Sequence, residues 1–133
     1  MTTHAQATFE IANWAEGEIL NADGGPKITR ATVSMSFAGG LEGEGSVEWL
    51  MGYDDNGAAC FVGLERVAGA IEGKKGSFVL QHVGTFDGQT AKAELLVVPG
   101  SGTGDLRELS GNGSFLAGMG PEGKRSISFD YDL

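Results

Sequence analysis

The sequence predicts an all-β fold: an eight-stranded antiparallel up-and-down barrel with at most one helical turn. Three observations predict it. Apolar residues alternate with period two through eight stretches, and no window holds a 3.6-residue period for long. Short Gly-bearing segments separate the stretches, and five of them read as hairpin turns. The 23 glycines follow no Gly-X-Y period and prolines number only 3, which excludes collagen and argues against a disordered tract.

The elements follow in order. Phe9 and Ile11 mark a first strand. Ala31, Val33, Met35 and Phe37 mark a second, and Val47, Trp49, Met51 and Tyr53 a third. Residues 59–71 form a long fourth strand, with a break expected at Ala68-Gly69. Residues 77–86 form a fifth, 91–98 a sixth and 111–117 a shorter seventh. Ile127, Phe129, Tyr131 and Leu133 mark the eighth. The helix candidate is 105–109, one turn at most. The hairpin turns are Ala38-Gly39-Gly40, Asp54-Asp55-Asn56-Gly57, Gly73-Lys74, Asp87-Gly88 and Gly120-Pro121-Glu122-Gly123. An apolar-x-Gly, gap, Gly-Ser-apolar pattern begins at Leu41, Ile71 and Leu109. It reads either as one strand-from-turn unit used three times or as chance reuse of turn chemistry.

Loop lengths give a register. A Gly73-Lys74 loop places Glu65 opposite His82 and Val67 opposite Leu80. An Asp87-Gly88 loop places His82 opposite Ala93. The Asp54–Gly57 turn places Trp49 opposite Gly63 and Met51 opposite Phe61. A three-residue Ala38-Gly39-Gly40 loop places Met35 opposite Gly43 and Arg30 opposite Glu48. One face then collects the apolar residues together with Glu65 and His82, and must be the interior. The other collects Arg30, Glu48, Arg66, Gln81, Lys92 and Glu94, interleaved with Val62, Leu64, Val79, Val83 and Leu96. A monomer rarely exposes such an apolar patch, so a homo-oligomer is expected.

At 133 residues the chain fits a single domain, 1–133, large enough to fold without staples. Its net charge of −9 repels phosphate backbones and anionic lipid, so neither nucleic acid nor membrane is an expected partner. The only adjacent basic pairs, Lys74-Lys75 and Lys124-Arg125, read as solvated hairpin tips. The one cysteine, Cys60, cannot form an internal disulfide and has no activating neighbour. The first residues lack the basic start and apolar run of a signal peptide, so a cytoplasmic location is expected.

The motifs Gly63-Leu64-Glu65-Arg66-Val67, Gly76-Ser77-Phe78-Val79-Leu80-Gln81-His82 and Gly84-Thr85-Phe86-Asp87-Gly88 resemble an uncharacterised bacterial family of small proteins. So do Val98-Pro99-Gly100-Ser101-Gly102-Thr103-Gly104 and Phe129-Asp130-Tyr131-Asp132-Leu133. The family is similar in fold to allene oxide cyclases and dirigent proteins, which implies an eight-stranded barrel with a central cavity. No cyclase motif matches, so the resemblance implies no catalytic residue.

The interior supplies the candidate site. Small residues Gly63, Gly84, Ala91 and Ala93 are expected to leave a pocket with Glu65 and His82 at its base. The pair can act as acid and base on a small apolar substrate without a cofactor, or can be a structural buried pair bonded also to Arg66 or Tyr53. Trp49, Met51, Tyr53 and Phe61 are ring-stacking candidates or ordinary core. The expected ligand-binding set is therefore Trp49, Met51, Tyr53, Phe61, Gly63, Gly84 and Ala93. Two histidines, one of them His4 in an expectedly loose terminus, are too few for zinc, and no metal or cofactor is expected. Gly118-x-Gly120-x-x-Gly123 matches a dinucleotide fingerprint by letter, but its Pro121 and the strand after it make it a turn. Three functions stay open: binding of a small apolar or aromatic molecule in the cavity; a cofactor-free isomerase or cyclase using Glu65 and His82; an oligomeric structural protein with a filled barrel.

Overall fold

The computed structural model describes residues 2–21, 27–118 and 125–133, with the side chains of 20 and 21 left out. It is a closed antiparallel barrel in which each strand pairs with its neighbour in sequence and β8 pairs back onto β1. The strands are β1 (Thr3–Asn21), β2 (Lys27–Gly39), β3 (Leu41–Tyr53), β4 (Ala59–Ile71), β5 (Lys74–Phe86), β6 (Thr90–Val97), β7 (Ser110–Gly118) and β8 (Arg125–Asp132). A single 3₁₀ turn, Gly104–Leu106, is the only helical element among the described residues. All eight expected strands are present, and the closing β1–β8 ladder covers Thr3–Thr8 of β1.

Two elements differ from expectation. β4 runs unbroken through Ala68-Gly69. β1 is 19 residues long, because register shifts between Ile11 and Asn13 and between Glu18 and Leu20 reset its alternation and hide its second half from a period-two count. His4 is not in a loose terminus: it pairs with Asp130 across β1 and β8, and its Nδ1 lies 2.6 Å from the Asp130 carboxylate. The repeated pattern is not one unit either. Leu41 opens a strand and Leu109 directly precedes one, whereas Ile71 closes a strand and the letters after it are hairpin. The expected Gly120–Gly123 turn, Lys124 and most of the Gly118–Gly123 fingerprint lie outside the described residues.

The register follows expectation at one hairpin and differs by two residues at three. Around Asp54–Gly57, Trp49 faces Gly63 and Met51 faces Phe61 as expected. Between β4 and β5 the loop is Glu72-Gly73, both with positive φ (49° and 85°), the pair that a type I′ turn requires. This places Glu65 opposite Leu80, and His82 opposite Gly63. Between β5 and β6 Gly88 takes φ 100° and His82 faces Leu95, not Ala93. Between β2 and β3 Met35 faces Gly45 and Arg30 faces Leu50, although the Arg30 guanidinium still reaches the Glu48 carboxylate diagonally.

A two-residue offset preserves the faces. The interior is the expected one, including Val33, Val47, Val67, Phe78, Leu80, Leu95 and Val97, all buried. The outer face carries exposed Arg30, Glu48, Arg66, Gln81, Lys92 and Glu94. Val79 departs from the expected exposed patch: it is only partly exposed, and the 98–103 connection bonds along its strand. The barrel end carrying this connection is filled. Leu106 and Leu109 pack into the core there, and Phe78, Phe129 and Tyr131 stack through it with centroids 6.2 and 5.6 Å apart.

Candidate functional site

The opposite half of the barrel is open. Near the β3–β4 and β5–β6 hairpins lies a cavity of about 260 Å³, walled by Phe9, Ile11, Met35, Trp49, Met51, Phe61, Phe86, Ala91, Phe115 and Ala117, with Trp14, Glu16 and Tyr53 completing the lining. Both tryptophans of the chain border it. Alternation puts each β3 and β4 contributor inward, and the β1 bulge after Ile11 brings Trp14 and Glu16 to the same side.

Trp49 is the floor. Its ring lies 5.2 Å from Phe61, 6.3 Å from Phe115 and 5.9 Å from His82, centroid to centroid. Its Nε1 donates to His82 Nδ1 at 3.3 Å. Nδ1 is then an acceptor, so the imidazole proton sits on Nε2 and is donated to Glu65 Oε1 at 2.9 Å. The chain of donors runs from Trp49 through His82 to Glu65. Both Glu65 and His82 are buried, at 1% exposure each, and Glu65 Oε2 has no hydrogen-bond partner.

The pair is thus brought together as expected, but not at the base of an open pocket. Ala91 lines the cavity, but the space left by Gly63 and Gly84 is occupied by larger neighbours. A Cβ on Gly63 would sit 2.5 Å from Trp49 Cδ1, and one on Gly84 would sit 2.5 Å from Phe61 Cζ. The Glu65 carboxylate itself covers Gly45. Of the expected binding set, Trp49, Met51, Tyr53 and Phe61 line the cavity, while Gly63, Gly84 and Ala93 do not. Trp49, and neither Arg66 nor Tyr53, is the third member of the buried network.

The rim is a polar cluster that the alternation count does not reveal. Glu16 accepts from Tyr53 Oη at 2.5 Å, Thr29 Oγ1 at 2.7 Å and Trp14 Nε1 at 3.1 Å. Lys27 Nζ lies 4.6 Å from the centre of the Tyr53 ring, a cation–π distance. The sequence signal for this cluster is the phase change of apolar residues from Phe9 and Ile11 to Trp14. Burial alone would raise the Glu16 carboxyl, but the bonds from Tyr53, Thr29 and Trp14 and the charge of Lys27 outweigh it and hold it below its usual range. Tyr53 is pushed up to about 12, by burial first and then by the adjacent Glu16.

This gives a signed prediction. A raised phenol favours folding below its ordinary value near 10, and that contribution is lost as pH rises toward about 12. Tyr131 is also raised, by burial and then by Glu72, so Tyr53 is read in a Tyr131→Phe background. Its phenolate absorbance is expected to appear well above pH 10 and to move down in Glu16→Gln. An unmoved midpoint would show that the Glu16 contact is not made in solution.

Among the described residues no three His, Cys, Asp or Glu side chains converge as a metal site, and no helix is long and apolar enough to cross a membrane.

The comparisons with known proteins bear on the family and the fold. No curated protein matches the sequence. A crystal structure of a protein of unknown function from Shewanella oneidensis MR-1 is 28% identical, with a TM-score of 0.83 over 100% of this chain and 98% of that one. That protein is assigned to the DUF3224 family, and the model of the same family, described as a protein of unknown function, matches residues 5–131 here. The chain belongs to the DUF3224 family.

Proposed function

We propose that the protein binds a small apolar or aromatic molecule in the open half of its barrel. The observation that carries this reading is the cavity of about 260 Å³, walled by aromatic and aliphatic side chains, with Glu16 the one charged residue in its described lining. An unfilled apolar void costs stability in proportion to its size, and an apolar cavity of about 150 Å³ suffices to hold benzene. The ligand class is therefore a single ring or short aliphatic group, its polar end toward Glu16 and Tyr53. The expected likeness to allene oxide cyclases and dirigent proteins belongs to this proposal, since it too implies a barrel with an interior cavity.

The two tryptophans make the test direct. Toluene and indole are titrated, with tryptophan emission reporting toluene and thermal unfolding reporting both. Saturable binding should raise stability by about 2.7 kcal/mol at a hundredfold excess over Kd. Ala91→Phe fills the cavity and should abolish the effect while the barrel still folds. No saturable change with either probe would end the proposal.

A cofactor-free isomerase or cyclase using Glu65 and His82 is the second reading, favoured by Glu65 Oε2, which is buried without a partner. Here the Trp49 ring would have to swing aside for a substrate to reach the pair. An oligomeric structural protein with a filled barrel fits least well with the open mouth.

A further inference from the structure

The outer surface of β3 to β6 carries an apolar face that the barrel itself does not cover. Leu50, Val62, Leu64, Val83 and Leu96 are 48–57% exposed. They are contiguous: Leu50 faces Val62, Val62 faces Val83, and Leu64 and Leu96 both face Gln81. Leu50 and Val62 stand between two surface grooves, one passing Val83 and Leu116, the other passing Leu64 and Gln81. A ridge beside grooves on one face is a shape that can mate with itself.

We propose that this face is the seat of a second copy of the chain, in a two-fold homodimer. Two arguments select that occupant. Five large apolar side chains, each about half exposed on one face, supply the apolar centre that a standard interface of about 800 Å² per partner needs. The charges on the face are of both signs, with Arg30, Arg66 and Lys92 beside Glu48 and Glu94. The net −9 is therefore carried elsewhere, and a two-fold axis can set each sign against its opposite.

The test is sedimentation at several protein and salt concentrations. A dimer is expected at about 100 µM, where even a micromolar complex is formed. It should strengthen with salt, because screening relieves repulsion between two acidic copies. Alkylation of Cys60, exposed on β4 beside Val62 in the Val83 groove, should slow as protein concentration rises. Val62→Lys reduces the net negative charge, which by itself would help two acidic copies meet. It should nevertheless raise the dissociation constant at least about tenfold, since the axis places it in the interface twice. Val83→Thr keeps the strand and should act in the same direction. A monomer at about 100 µM overturns the proposal and leaves the face to a different partner. A dimer unaffected by both substitutions overturns it in favour of another face.

Discussion

Replacing His82 by Ala is expected to destabilise the barrel by at least about 3 kcal/mol, measured by denaturant unfolding. Two effects add. The Glu65 carboxyl loses its one hydrogen bond while remaining buried, which costs about 1–3 kcal/mol. The ring also leaves a hole among Trp49 and Phe115, whose centroids lie 5.9 and 5.5 Å from it, and emptied core sites of this size cost about 2–5 kcal/mol. His82→Gln separates chemistry from volume. An amide offers an acceptor for Trp49 Nε1 and a donor for Glu65, the same polarity as the imidazole, so it should lose less than half as much. Replacing both partners with leucine should be milder than His82→Ala, since no polar group is then stranded. A His82→Ala variant as stable as wild type would mean that the pair is not closed in solution. Toluene affinity in His82→Gln should stay within about twofold of wild type, a shift under 0.5 kcal/mol. Its loss with the fold intact would move the functional weight to the Glu65–His82 pair.

Faces are legible in the sequence, whereas register is legible only at the Asp54–Gly57 turn, for a physical reason. Side-chain direction alternates with period two. Moving a hairpin loop along the chain by one residue shifts every cross-strand pair by two and leaves inside and outside unchanged. Thus Glu65 and His82 could be placed in the interior from alternation alone. Which residue sits directly opposite each depended on whether the loop was Gly73-Lys74 or Glu72-Gly73. The second requires Glu72 to take φ 49°, a conformation that L-residues seldom adopt. The two side chains still meet, because diagonal neighbours on adjacent strands are within reach of long side chains.

The position of the cavity is not legible in the sequence, for a different reason. Small residues mark where volume is missing from one strand, but not whether the next strand fills it. Trp49 fills the space over Gly63 and Phe61 the space over Gly84. The real opening lies one layer nearer the mouth, where β1 supplies part of the wall and its bulges make the sequence hardest to read. Trp14 and Glu16 are therefore hidden from a period-two count, although with Thr29 of β2 they hold the polar rim. The barrel is divided: stacked rings fill one half, and an aromatic floor closes the other half from below.

That floor predicts the second large effect. Gly63→Ala should destabilise by about 2 kcal/mol, in the range of core overpacking. The added methyl would press on the Glu48 carbonyl oxygen, a backbone atom of the paired strand, and on Trp49 Cδ1 at 2.5 Å. The backbone cannot yield without opening the β3–β4 ladder, so the indole must turn. Turning it breaks the bond from Nε1 to His82 Nδ1 and unseats the floor of the cavity. Against this stands the usual gain of about 0.5–1 kcal/mol when alanine replaces glycine in a strand. Gly52→Ala on β3 measures that gain alone, since a Cβ there meets nothing within 4 Å. The expected result is a Gly63→Ala protein less stable than both wild type and Gly52→Ala, with a shifted Trp49 emission and weakened toluene binding. Equal stability of the two alanine variants would show that Trp49 does not lie over Gly63, and the cavity floor would have to be sought elsewhere.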